Sequence, residues 1–183
     1  MLALRRLRSP QIAVFLKDSD PLVLADTIRA INDVPIDGAR PALAAYLDEA
    51  ADDLSQLQLN RLINANFREG NADCLERLFR YAVRESAPAV NREEALRCIG
   101  AWAKPHVVDP TIGLYRPLPA RDERHTPLIR EELAKALPNL RGPALTAGIR
   151  LASQYNVPIS TDVLRNQATD DSLDAELRAA ALA

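Results

Sequence analysis

The sequence predicts an all-α protein, an α-α superhelix of about four to five stacked helix pairs. Three observations predict it. Amphipathic segments with helix-capping residues follow one another along the whole chain. Their starts recur at a near-constant spacing. Aromatic residues make up only 4% of the 183 positions and glycines number 6, too few of both for a β-sandwich or barrel.

The clearest element runs from Asp20 to Pro35. Asp20 is a good N-cap, because its carboxylate accepts from free N–H groups of the first turn. Pro21 suits the first helical position, where an N–H is not needed. Leu24, Ile28 and Ile31 share one face, Asp26, Arg29 and Asp33 another. Before it, Met1 to Leu7 reads as the end of a helix, and Ser9-Pro10 opens a short helix over Gln11 to Lys17. After it, Asp37-Gly38 is a turn and Arg40 to Leu47 the next helix. Ser55-Gln56-Leu57-Gln58 is a capping box, opening a helix to Phe67 that Gly70 ends. Asn71 caps a helix carrying Leu75, Leu78, Phe79 and Ala82. Asn91-Arg92-Glu93-Glu94 is a weaker box, predicting a helix from Arg92 to Ala103. Thr126-Pro127, Gly142-Pro143, Ser160 and Asp171 open four more, and Leu177 to Ala183 shows no C-cap residue.

The second helix of each pair starts near Asp20, Ser55, Asn91, Gly142 and Asp171, at steps of 35, 36, 51 and 29 residues. A proline-rich insert of about 16 residues accounts for the long step, which otherwise returns to about 35. Val34-Pro35-Ile36 recurs as Val157-Pro158-Ile159 at the same point of the unit. The expectation is therefore a single repeat domain over 1–183, interrupted by a proline-rich insert loop at 104–121. Solenoids carry polar caps at their ends, and neither the first nor the last helix here is capped. On that ground the chain is expected to be a piece of a longer one.

Composition excludes some function classes. Apolar residues reach 48%, sufficient for a core, and the net charge of −2 steers the molecule towards neither DNA nor membrane. Basic residues are nearly all arginine: only Lys17, Lys104 and Lys135 are lysines. Cys74 and Cys98 each sit in an apolar helical pattern and read as buried thiols. No apolar run is long enough to span a bilayer, and the basic start is not followed by a signal-peptide core. No phosphate-binding glycine loop, nucleophile–base spacing or C-x-x-C-H haem-attachment motif occurs. No catalytic, cofactor or metal residue is assigned.

The insert supplies the candidate binding residues: Trp102, His106, Asp109, Tyr115, Arg116 and Arg121. Inserts in repeat arrays map to one face, often the binding face, and Trp, Tyr and Arg dominate interface hot spots. The competing reading is a rigid proline-rich cover between repeats, favoured because prolines lower the ordering cost of a loop. His106 and Asp109 are too few ligands for a metal. Arg77, Arg80 and Arg84 form a basic stripe and Arg5, Arg6 and Arg8 a cluster, candidates for phosphate. Nearby acids such as Glu76, Glu85, Glu93 and Glu94 favour a solvated face for the stripe.

Two resemblances follow. Asp20-Pro21-Leu22-Val23 with Ala25 and Ala30 is similar to the opening of a HEAT-repeat second helix, and Asp171-Ser172-Leu173-Asp174 with Ala180 and Ala181 is a looser copy. More specifically, the chain resembles the HEAT-like region of large membrane-bound dehydrogenase proteins of planctomycetes and verrucomicrobia. The segments that carry it are Phe15 to Val23, Arg29 to Ile36, Asn64 to Arg68 and Gly113 to Pro119. In that family a β-propeller precedes the region and a c-type cytochrome domain follows it. The resemblance implies a non-catalytic scaffold or spacer making protein–protein or interdomain contacts, an oxidoreductase parent with haem c elsewhere, and a periplasmic or cell-envelope setting. The alternatives are a HEAT-like nucleic-acid-binding protein of the DNA-glycosylase kind, which the charge balance disfavours, and a free-standing peptide-binding scaffold.

Overall fold

The helix expected from Asp20 forms as its ends dictate. A computed structural model describes residues 1–50, 54–169, 171 and 175–179. There α2 spans Pro21–Asp33, with the Asp20 carboxylate accepting from the Leu22 N–H at 2.8 Å. The described residues are mostly helical, with ten α-helices, and neighbouring helices pack on one another. They fall into two compact units: Met1–Arg77 with Lys104–Pro119, and Leu78–Ala103 with Ala120–Ala183.

In the first unit, α1 (Leu2–Arg6) and a 3₁₀ segment (Pro10–Lys17) precede α2. A single 3₁₀ turn, Asp37–Ala39, leads into α3 (Arg40–Glu49). The next helix, α4 (Gln56–Glu69), opens on the predicted capping box, and Gly70 ends it in the left-handed conformation at φ 71°. Helix α4 packs on α3 and α2, and the 3₁₀ segment packs on α2. Ile28, Ile31, Leu43, Leu47, Leu62 and Ile63 fill the space between. Burying each such side chain contributes roughly 1.5–3 kcal/mol. Helix α5 (Ala72–Ala82) begins in this unit, where the Asn71 side chain accepts from the Cys74 N–H, and ends in the second.

The second unit contains α6 (Ala89–Gly100), α7 (Thr126–Ala136), α8 (Gly142–Tyr155), α9 (Thr161–Ala168) and α10 (Ala175–Ala179). Helix α8 is its centre and packs on α6, α7 and α9. Leu96, Ile99, Trp102, Ile129, Leu133 and Leu145 are buried there. Ser160 caps α9 as expected, accepting from the Val163 N–H.

Some boundaries differ from expectation. Helix α6 starts at Ala89, because the Pro88 carbonyl already accepts from the N–H groups of Asn91 and Arg92. Asn91 is therefore not a cap but a buried residue inside the helix. Thr126 lies within α7; the capping group is Asp122, which accepts from the Arg124 N–H and opens a 3₁₀ turn running into the helix. The segment after Pro10 is 3₁₀ throughout. The helix expected to open at Asp171 is described over Ala175–Ala179, and residues 172–174 before it lie outside the described residues. Ser172 to Asp174, Ala180 and Ala181, on which the looser HEAT copy rests, lie outside the described residues.

Candidate partner-binding hairpin

The proline-rich insert folds. Prolines 105, 110, 117 and 119 bar a helix, as expected. The segment instead forms an antiparallel hairpin, β1 (Val108–Asp109) and β2 (Leu114–Tyr115), with Val108 opposite Tyr115 and Asp109 opposite Leu114. A bond from the Arg116 N–H to the Val107 carbonyl, 3.0 Å, extends the pairing. The turn is closed from the Gly113 N–H to the Asp109 carbonyl, 2.8 Å. Gly113 sits at φ 68°, a conformation that disfavours any residue with a Cβ.

Asp109 holds both the turn and the root of the hairpin. Its side chain is fully buried. One carboxylate oxygen, Oδ1, accepts from the Thr111 N–H at 3.0 Å, which shapes the turn. The other, Oδ2, accepts from Asn64 Nδ2 at 3.1 Å, Arg116 Nη1 at 3.1 Å and Arg68 Nη1 at 3.4 Å. Arg116 Nη1 also donates to the Asn32 carbonyl, and Arg68 Nη1 to the Arg116 carbonyl. Asn64 Nδ2 donates in addition to Asn32 Oδ1, and Asn32 Nδ2 to Asp33 Oδ1. Asp33 then takes a two-point contact from Arg61, at 3.0 and 2.8 Å. One connected network thus ties the C-terminal end of α2, the inner face of α4 and the hairpin together.

Charge in this network is strongly coupled to burial. Desolvation and the neighbouring Arg116 charge lower the pKa of Arg68, with Asp109 opposing them. Burial pushes the Asp33 carboxyl up, but hydrogen bonds from Arg61 and Asn32 and the Arg61 charge outweigh it, so the net shift is down. A second strut lies beside it. Asn66 Nδ2 donates to the Ala44 and Leu62 carbonyls, Arg77 Nη1 donates to Asn66 Oδ1, and Arg77 Nε to Asp48 at 2.7 Å.

Val107, Val108, Leu114 and Tyr115 are exposed, the last at 74%, and the cross-strand pair Val108 and Tyr115 shares the face opposite to that of Asp109. The six candidate residues thus separate into different settings. Tyr115 and His106 are exposed, while Asp109 and Arg116 anchor the hairpin from within the first unit. Trp102 and Arg121 belong to the second unit. The Arg121 guanidinium lies 4.6 Å from the Trp102 ring centre and donates to the Trp102 carbonyl, and Trp102 Nε1 donates to His125 Nδ1 at 3.2 Å. His106 and Asp109 do not form a metal site with any third ligand: among the described residues, no group of three or more His, Cys, Asp or Glu is placed to share an ion. Both thiols are buried, and burial raises the pKa of Cys74. Sequence reading missed Val107, Val108 and Leu114 as exposed apolar residues and Asn32, Asn64 and Arg68 as the root. The available signal was Asn64 and Asn66 set among the apolar residues of Leu62 to Phe67.

The class defined by these features is an all-α protein carrying one polar-rooted, apolar-faced hairpin. No protein-family model, curated protein or solved structure matches the chain. No helix among the described residues is long and apolar enough to cross a membrane.

Proposed function

We propose that this chain is a non-catalytic HEAT-like scaffold that presents the Val107–Tyr115 hairpin to a protein partner, either a neighbouring domain of a longer chain or a separate protein. The observation that carries this reading is the hairpin's two-sidedness. Its root is fixed by four hydrogen bonds that Asp109 and Arg116 make to Asn32, Asn64 and Arg68. Its outer face offers the cross-strand pair Val108 and Tyr115 to solvent, and Val107 and Leu114 are exposed beside them. A preorganised apolar face loses little entropy on docking, and rigid aromatic anchors are favoured at interface centres. The near-35-residue spacing of helix starts and the packing of neighbouring helices support the solenoid part of the reading. The titratable groups of the network are consumed by one another, which fits a structural role. The resemblance adds the setting: a spacer between a dehydrogenase propeller and a haem c domain.

A haem stain and intact mass on the native product of the reading frame test the setting. A haem-positive protein much larger than 20.1 kDa is expected, and a haem-free product of this size removes the dehydrogenase setting. A photo-crosslinker placed at Tyr115 in that same product tests the hairpin. Cross-links from Tyr115 into another folded domain or protein are expected. Their absence, with cross-links from Leu22 as abundant as from Tyr115, removes the hairpin as the contact face.

A further inference from the structure

The arginines of the first unit divide sharply. Arg29, Arg40, Arg61, Arg68, Arg77 and Arg116 each reach a carboxylate. Arg5, Arg6 and Arg8 pair with no carboxylate among the described residues, and these three line one open cleft of about 420 Å³ together with Leu2 and Val34. No acidic residue lines it. In a unit that otherwise matches each guanidinium to an acid, three arginines facing one space concentrate positive charge there.

The backbone at the cleft points the same way. Helix α1 ends in a two-bond C-cap: the Arg8 N–H donates to the Arg5 carbonyl at 3.1 Å and the Ser9 N–H to the Leu4 carbonyl at 2.9 Å. These bonds occupy carbonyls that would otherwise repel an anion at this helix end. The motif needs a left-handed residue after the helix, a place that glycine fills most easily. Here Arg8 fills it at φ 49°. The chain thus holds a charged residue in a strained backbone position where a smaller residue would serve the turn better.

We propose that this cleft binds a phosphate group carried on an apolar carbon skeleton, the phosphate held by Arg5, Arg6 and Arg8 and the carbon against Leu2 and Val34. Guanidinium forks match phosphate oxygens two at a time, which suits them to this ligand over a simple halide. The same chemistry arises from a free organic phosphate or from the headgroup of an anionic lipid. Leu2 on α1 and Leu7 just after it, 67% and 77% exposed, suit either source. The site is separate from the hairpin and does not depend on the scaffold reading.

The test uses the full chain. Phenyl phosphate is titrated by calorimetry, and sedimentation is followed with vesicles of phosphatidylcholine with and without phosphatidic acid, each at two salt concentrations. Two variants accompany the native chain. Arg8→Gly removes one charge and relaxes the left-handed residue, so the fold is kept or strengthened; R5Q/R6Q removes the other two charges. Saturable binding of phenyl phosphate, weakened about tenfold or more by Arg8→Gly and by added salt, is the result expected for a free phosphate. Phosphatidic-acid-dependent sedimentation with the same losses assigns the headgroup source. Binding to neither probe overturns the proposal, as does binding that Arg8→Gly and R5Q/R6Q leave unchanged.

Discussion

The two units use the same residue, arginine, in opposite ways. In the first, arginines reach carboxylates far along the chain: Arg61 to Asp33, Arg77 to Asp48, Arg68 and Arg116 to Asp109. In the second, three arginines reach neutral backbone carbonyls: Arg92 that of Ala82 at 2.8 Å, Arg130 that of Tyr155 at 2.8 Å and Arg121 that of Trp102 at 2.8 Å. Two of its charge pairs, Arg165 with Asp162 and Lys135 with Glu131, are local and exposed. A surface pair at such spacing contributes little. The difference teaches where each unit is vulnerable. Removing one acid from the first strands two buried cations. Removing one arginine from the second strands a carbonyl, a far smaller penalty.

The largest effect is expected at Asp109. Asp109→Asn keeps the shape and removes the charge facing Arg68 and Arg116. Breaking a buried, hydrogen-bonded charge set costs about 3–5 kcal/mol. Hydrogen exchange should show amides of α2 and α4 losing protection while those of α8 keep theirs. Equal loss in both units, or a cost below about 1 kcal/mol, would break the contrast. Next in size is Arg92→Met, which retains the buried stem and removes the donor to the Ala82 carbonyl. Arg92 Nη2 is buried without a partner, so part of the loss is returned when it goes. A cost of about 1 kcal/mol, read from urea denaturation, is expected. A cost as large as that of Asp109→Asn would show that the second unit also depends on buried charge.

Much of this was legible in the chain and some was not. Caps that act through their own side chain, Asp20, Ser55, Asn71 and Ser160, stood in the sequence because the chemistry is local. The starts of α6 and α7 were misread for the same reason: Asn91 and Thr126 have capping side chains, but Pro88 and Asp122 upstream had already begun the turn. The prolines announced that 104–121 is not helical. They carried no sign that Asp109 would be buried, because its partners Asn64 and Arg68 lie 45 and 41 positions away. Which side of a two-residue strand faces inward is likewise set by those distant partners. Hence Tyr115 could be named as a candidate contact while Val108, its cross-strand neighbour, was not.

The pH dependence sharpens the comparison at smaller amplitude. In the second unit, burial and the Arg124 charge lower the pKa of His125 below its ordinary 6.5, with Asp122 opposing. The ring must also be neutral at Nδ1 to accept from Trp102. A base whose pKa falls on folding contributes stability that is complete above its unfolded value and is lost as pH falls through the folded one. The second unit should therefore begin to weaken below pH 6.5. Emission from Trp102, the one tryptophan, should report it, and His125→Gln should abolish that slope. In the first unit the depressed carboxyl is Asp33. Its contribution is complete above the unfolded value of 3.8 and is lost as pH falls through the lower folded value. Acid should thus loosen the second unit first and the first unit only below about pH 4. Simultaneous loss of protection in both units on acidification would mean that charge does not divide them in this way.

The smallest effect is expected on the hairpin's outer face, and its smallness is the point. Val108→Thr and Tyr115→Ser change side chains that are 45% and 74% exposed, on the side of the hairpin away from Asp109. Such substitutions ordinarily stay within about ±0.5 kcal/mol. Gly113→Ala is the internal control. Open space surrounds Gly113, so a methyl group meets nothing, and only the φ of 68° opposes it. That backbone cost is about 1 kcal/mol. If Tyr115→Ser costs more than Gly113→Ala, the tyrosine is packed in solution against something it does not touch in the isolated chain. If it costs less, the ring is held in the open by a root built elsewhere.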